Sequence, residues 1–290
     1  MPIPIPDAVD EAGALARTKA TQARNLPRYA IASMLAGAYV GVAVVLLISV
    51  GAPLVSAASP FSKLIQGAVF GVALTLVVFA GAELFTGNTM TMLQGLLRRD
   101  VRIIDLVVVW VSSLVGNFVG SVAFAWAVSE SGALTIGATP GKASPAQALL
   151  GSIVQGKDAA GGAQLFWRAV LCNALVCLGL WMAARTRSDA AKCIVLWWAL
   201  LAFVASGFEH SIANMTTFSL AALDGSGTWS MLWHNLAWTV PGNIVGGALV
   251  VGGSYAWLGS KARTRSDAMV PATEPSPNGQ EQELEPASAM

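Results

Sequence analysis

Glu83, Thr86, Glu209 and His210 lie inside the most apolar stretches of this 290-residue chain. Ionisable groups buried that deeply are costly, and they face protein or water rather than lipid. The two glutamates occupy the same place in a repeated pattern. Gly81-Ala82-Glu83-Leu84-Phe85-Thr86-Gly87-Asn88 and Gly207-Phe208-Glu209-His210-Ser211-Ile212-Ala213-Asn214 share G-x-E-x-x-x-[GA]-N at an offset of 126 residues. Each carboxylate has two readings: an acceptor for backbone N–H groups freed where its helix breaks, or a member of a proton relay. Duplication favours the first, because a relay does not need two copies. His210 has no such twin, since its counterpart is Leu84. An imidazole at mid-membrane can donate a hydrogen bond to an anion, and its ordinary pKa lies close enough to neutrality for protonation to switch.

Enzyme chemistry is not indicated. His210 has neither a second histidine nor a cysteine close by in sequence, and no Gly-x-Ser-x-Gly element occurs. Cys172, Cys177 and Cys193 lie in apolar segments without metal-ligand spacing and read as small buried residues. No cofactor is implied, and a net charge of +1 gives no hint of nucleic-acid binding.

The elements that position these groups follow from a second repeat. Gly116-Asn117-Phe118-Val119-Gly120 and Gly242-Asn243-Ile244-Val245-Gly246 share the same offset of 126. Two motifs with one offset mean a duplicated chain, and its apolar segments are each broken at a polar, glycine-containing patch. In membrane proteins that pattern marks a substrate path at the repeat interface. Gly87 with Asn88, and Ala213 with Asn214, supply the small residue and the polar side chain that a break needs. The half-helices that follow should aim their N-termini, with free N–H groups, at the protein centre, where they favour anions. Gly116, Gly120, Gly242 and Gly246 form small-xxx-small pairs for close helix packing, and Asn117 and Asn243 should bond across helices.

Composition places the chain in a bilayer: 55% of residues are hydrophobic and 11% charged, against roughly 25% charged in soluble domains. Six spans are predicted, at about 31–50, 64–97, 103–128, 165–184, 193–220 and 231–258, the second and fifth too long and too polar for straight helices. Arg17, Lys19, Arg24, Arg28, Arg98, Arg99, Arg102, Arg185, Arg187, Lys192, Lys261, Arg263 and Arg265 fall on one side; Lys63, Lys142 and Lys157 fall on the other. The positive-inside rule then puts both termini in the cytoplasm. Three spans per half is an odd number, so the halves must be inverted repeats, about 31–128 and 163–258. A short N-terminal helix, Asp7 to Arg24 with Asp7 as cap, is expected within a cytoplasmic segment 1–30. Residues 129–162 read as an external loop and 259–290 as a disordered cytoplasmic tail.

At these residues the chain resembles the formate/nitrite transporter family. The matching segments are Ala82 to Thr86, Cys172 to Leu178, Ala205 to Met215 and Gly242 to Gly247. Glu83, Gly87-Asn88-Thr89-Met90, Leu196-Trp197-Trp198 and Met215-Thr216-Thr217-Phe218 look most like its nitrite-channel branch. The resemblance implies an all-α, aquaporin-like protomer of six transmembrane helices, assembled as a homopentamer in the bacterial cytoplasmic membrane. It implies passage of nitrite, with formate or another small weak-acid anion as the alternative. It also implies His210, Thr86 and Asn173 on the substrate pathway and Phe70, Leu74, Val176 and Phe203 at the constriction. Glu83, Glu209, Asn88 and Asn214 are expected to support the breaks. The family's basic N-terminal gating residue meets Lys19 only across a gap, and that role is left unassigned. An aquaporin-type neutral pore would need paired Asn-Pro-Ala, but Asn88 and Asn214 precede Thr89 and Met215.

Overall fold

In lipid a long apolar segment can satisfy its own backbone only as a helix or in a closed barrel. The computed structural model describes residues 1–260, and among them every regular element is helical. The chain opens with α1 (Ile5–Ala23), which carries Pro6 in its first turn. Proline fits there because the missing N–H would be unpaired anyway. The helix therefore starts before Asp7, which sits inside the first turn instead of capping it.

The first crossing is α2 (Leu26–Ser56), capped by Asn25. The second is assembled from α3 (Ser62–Phe70), α4 (Val72–Phe79) and α5 (Phe85–Leu97), and the third is α6 (Ile103–Glu130). The segment expected as an external loop contains a helix, α7 (Pro145–Asp158), whose Ser144 and Gln147 form a capping box. Its cap, its first-turn proline and the glutamine three residues on were the signals; the surrounding Gly, Ala and Ser masked them. Then follow α8 (Gly162–Ala184), α9 (Asp189–Ala205), α10 (Ser211–Asp224) and α11 (Trp229–Ile244). The last continues through a π-helical segment (Val245–Gly253) into α12 (Ser254–Leu258).

Among the described residues five stretches are long and apolar enough to cross a membrane alone: Leu26–Ser56, Ser62–Phe79, Ile103–Glu130, Gly162–Ala184 and Trp229–Leu258. The remaining crossing is the composite of α9 and α10, each too short by itself. The protein is a multi-pass membrane protein built from two inverted repeats. In the first, α1, α2, α3–α4, α5 and α6 match α7, α8, α9, α10 and α11 of the second. Packing repeats as well: a Cβ at Gly116 would meet the Ser33 side chain and one at Gly120 the Met34 carbonyl of α2, and one at Gly242 or Gly246 the Phe166 or Val170 carbonyl of α8. These contacts draw α6 onto α2 and α11 onto α8, which brings Asn117 and Asn243 within reach of the breaks. The tail expected at 259–290 lies outside the described residues from 261 on.

Candidate functional site

The two repeated motifs interrupt their helices as the sequence predicts, but the breaks fall at their first residues: Gly87 and Asn88, with Ala213 and Asn214, expected to supply them, lie inside the first turns of α5 and α10. Gly81 and Gly207 adopt φ of +76° and +73°, a left-handed turn that glycine makes without steric cost. The chain reverses there, with Ala82 N–H donating to Val77 O at 2.9 Å and Phe208 N–H to Phe203 O at 3.1 Å. Glu83 N–H then donates to Ala32 O at 3.1 Å, and Glu209 N–H to Arg168 O at 3.3 Å.

The amide groups freed at the breaks are held by asparagines. Asn117 Oδ1 accepts from Phe85 N–H at 2.9 Å, while its Nδ2 donates to Ser33 O at 2.7 Å and Glu83 O at 2.9 Å. Asn243 repeats this with Ser211 N–H at 2.9 Å, Ala169 O at 2.8 Å and Glu209 O at 3.0 Å. This corrects the expected part of the glutamates. Neither carboxylate accepts a backbone N–H, because the asparagines already take those donors. The glutamates face side chains instead. Glu83 accepts from Lys19 Nζ at 2.7 and 2.8 Å, from Tyr29 Oη at 3.2 Å and from Asn88 Nδ2 at 3.1 Å. Glu209 accepts from Lys157 Nζ at 2.6 Å and from Asn214 Nδ2 at 2.7 Å.

Lys19 on α1 and Lys157 on α7 are thus equivalent partners of equivalent glutamates, a match the sequence reading missed. They are 138 residues apart, not 126. The offset drifts because the first half is longer between its amphipathic helix and its break. Glu209 is the more enclosed, its side chain 3% exposed against 13% for Glu83.

His210 caps α10, its Nδ1 accepting the Ala213 N–H at 3.2 Å. A nitrogen that accepts a backbone N–H carries no proton, so the ring hydrogen resides on Nε2. Nε2 lies 3.2 Å from Thr86 Oγ1. Leu84 occupies the matching place before α5 and makes no cap. The open N–H groups expected at these helix starts are only partly occupied: Phe85, Ser211 and Ala213 have side-chain acceptors, while Thr86, Gly87 and Ile212 N–H have none among the described residues. Beside these the breaks present the positive end of each helix dipole and one imidazole N–H, which Thr86 Oγ1 accepts.

Two cavities meet at this histidine. A larger one, about 450 Å³, lies on the α7 side and includes Lys63, Phe70, Lys157, Arg168, Phe203, Glu209 and His210 in its wall. A smaller one, about 10 Å³, is lined by Val40, Phe70, Ala73, Leu74, Leu84, Val176, Leu200, Phe203 and His210; that is room for about one water-sized group. Phe70 and Phe203 border both, with ring centroids 5.6 Å apart edge to face, and Phe203 stacks on the His210 ring at 5.9 Å. The small cavity straddles the pseudo-two-fold axis. Val40 pairs with Val176, Leu74 with Leu200, and Leu84 with His210. Val40 and Leu200 were not singled out from sequence, although the offset of 126 turns Leu74 into Leu200 directly.

Phe70, Leu74, Val176 and Phe203 thus converge on one narrow apolar cavity, and His210 contributes its polar side chain. Thr86 and Asn173 line neither cavity. Both are fully buried behind His210, and Asn173 Nδ2 reaches Thr86 O at 3.2 Å, Thr89 Oγ1 at 3.1 Å and Asn243 O at 2.6 Å. Asn173 therefore ties the first break to α11. Asn214 borders the larger cavity, and Asn88 binds Glu83 and Tyr29 on the opposite side.

The sequence profile of formate/nitrite transporters matches residues 6–257. The chain belongs to this family. It is 39% identical over 251 residues to the nitrite transporter NirC of Escherichia coli K12, covering 85% of this chain and 89% of that one. It is 37% identical over 244 residues to a probable formate transporter of Methanothermobacter thermautotrophicus, covering 79% and 88%. Among solved structures, an FNT family ion channel superposes with a TM-score of 0.79 at 36% identity, covering 88% of this chain and 99% of that chain. A pentameric formate channel with formate bound superposes at 0.68 and 28% identity, covering 81% and 97%. As a member of this family the protein is an anion channel or transporter, not an enzyme.

Proposed function

We propose that this protein passes nitrite across the bacterial cytoplasmic membrane, as a homopentamer with one pathway in each protomer and both termini in the cytoplasm. Residues 31–258 form the channel domain, preceded by a cytoplasmic segment 1–30 and followed by a tail 259–290. The lysine and arginine distribution supports the orientation, and the bacterial nitrite transporters at 36–39% identity support the membrane and the ion. Formate is the second reading, supported by the likeness to a pentameric channel holding formate.

One observation carries the mechanism: His210 is the polar side chain in the wall of an otherwise apolar cavity with room for about one water-sized group, and an anion there would share its Nε2–H with Thr86 Oγ1. A bare anion loses most of its hydration in such a cavity, at a cost that an apolar wall cannot offset. A hydrogen bond from Nε2–H, together with the positive ends of α5 and α10, lowers that cost. Thr86, held in turn by Asn173, orients the donor. Phe70 and Phe203 on one side and Leu74 and Val176 on the other exclude larger solutes and hydrated ions. His210 acts here as a donor and not as the source of a proton. Nδ1 is occupied by the Ala213 N–H, so loss of the Nε2 proton would leave an imidazolate. Any proton that accompanies the anion as the neutral acid is therefore acquired in the vestibule.

The test is flux through purified protein in liposomes, nitrite against formate, at two pH values. Nitrite flux that exceeds formate flux supports the primary reading. Faster formate flux at both pH values favours the alternative, and flux of neither overturns both.

A further inference from the structure

The larger cavity holds three cations, Lys63, Lys157 and Arg168, against one carboxylate, Glu209. The lysine deepest in the site has its charge neutralised, since Lys157 Nζ lies 2.6 Å from Glu209. Arg168 and Lys63 form no ion pair among the described residues. Arg168 is also bound to the break through its backbone, whose carbonyl accepts the Glu209 N–H at 3.3 Å. Its guanidinium is therefore carried on the chain position next to the helix break.

The inverted repeat provides an internal control. The position equivalent to Arg168, defined by the same hydrogen bond from Glu83 N–H, is Ala32. The position equivalent to Lys63, at the offset of 126, is Asp189, which pairs with Lys192 at 3.0 Å. The glutamate–lysine pairs are symmetric, whereas Arg168 and Lys63 have an alanine and an already paired aspartate as their counterparts.

We infer that Arg168 and Lys63 form an anion-loading site in the α7-side cavity, which concentrates small monovalent anions at that mouth and makes half-saturation for passage depend on the side of approach. The inference rests on the proposed anion passage, and on the nitrite reading only for the choice of probe ion. It does not bias equilibrium, because fixed charges at one mouth change occupancy and rate but not the driving force. A guanidinium suits the role because its fork of donors matches a planar two-oxygen anion. Lys63 is exposed and acts at longer range. Both act through solvent, so the effect should fade as the screening length falls from about 30 Å at 10 mM salt to about 3 Å at 1 M.

The experiment measures initial nitrite flux in proteoliposomes of defined orientation, from each side, at about 10 mM and about 1 M of an impermeant salt. The proteins are wild type, Arg168→Gln, Lys63→Gln, the double glutamine variant and Arg168→Lys. Expected is a lower half-saturation for wild type from the α7 side at low salt. The double variant should raise it several-fold from that side alone, high salt should erase the difference, and Arg168→Lys should retain most of the wild-type behaviour. Arg168→Gln keeps the backbone bond to Glu209, so a merely structural arginine would change flux from both sides and at both salt concentrations alike, which overturns the inference. Equal half-saturation from the two sides in wild type at low salt also overturns it. Should Arg168→Gln not assemble, the exposed Lys63→Gln carries the same test, and salt-insensitive, side-independent flux in it counts against the site. Failure to pass nitrite, with formate showing the same sidedness, sinks the nitrite reading and supports the loading site.

Discussion

Replacing Lys157 by methionine isolates what holds the second break together. The change keeps most of the side-chain volume and removes the charge that faces Glu209 at 2.6 Å. Glu209 has a side chain 3% exposed, and its other hydrogen bond comes from Asn214. Removing one partner of an enclosed ion pair leaves an uncompensated charge and costs about 3–5 kcal/mol. At about 2–4 °C per kcal/mol for a chain of this size, the melting temperature of the oligomer should fall by about 6–20 °C. Glu209→Gln should cost much less, on the order of 1 kcal/mol, because Asn214 can still donate to the amide oxygen and Lys157, 19% exposed, can turn to the vestibule water. The double variant Lys157→Met with Glu209→Gln should recover most of the loss. Melting of purified oligomer in one detergent, followed by size-exclusion, reads all three. A Lys157→Met protein within about 3 °C of wild type, roughly 1 kcal/mol, would refute the reasoning, as would a double variant no better than the single one. The equivalent Lys19→Met should cost less than Lys157→Met, since Glu83 is 13% exposed and keeps donors from both Tyr29 and Asn88.

Three further outcomes follow from the same geometry. His210→Phe keeps the ring against Phe203 but loses the Nε2–H donor, worth about 1.5–3 kcal/mol to a bound anion; nitrite flux through assembled oligomers should fall at least tenfold across about pH 5 to 8, and an unchanged rate, selectivity and pH profile would make His210 a packing residue. Leu74→Ala or Phe203→Ala should widen the small cavity and cost about 2–5 kcal/mol of stability; flux of nitrite against lactate measures the loss of selectivity, and undiminished discrimination would count against these residues as the constriction. Asn243→Ala deprives three buried backbone groups of partners, at about 1–3 kcal/mol each; hydrogen exchange at the Ser211 amide should accelerate far more than at amides in the middle of α8, and equal protection would show that the break is held by something else.

Much of this architecture was legible in one dimension because local physics imposes it. Spans must be helical and long enough to cross, a polar, glycine-containing patch marks a span that breaks, and a duplication leaves its offset in the chain. Those rules expose the breaks, the inverted repeat, the unpaired histidine and the small residues between helices. The helix α7 was hidden by composition although its cap was present. What only the tertiary structure decided is which groups meet. Asn117 and Asn243, not the glutamates, take the freed amides, because α6 and α11 lie on α2 and α8 closely enough to bring them there. Lys19 and Lys157 find Glu83 and Glu209 across 64 and 52 residues, from amphipathic helices whose spacing does not follow the repeat offset. Asn173 sits behind the break and not on the cavity wall, and His210 has its Nδ1 turned to its own helix. The sequence determines which polar groups the membrane must tolerate and where the chain must break; which of them neutralise one another, and which is left to face an anion, is set by packing between segments far apart in the chain.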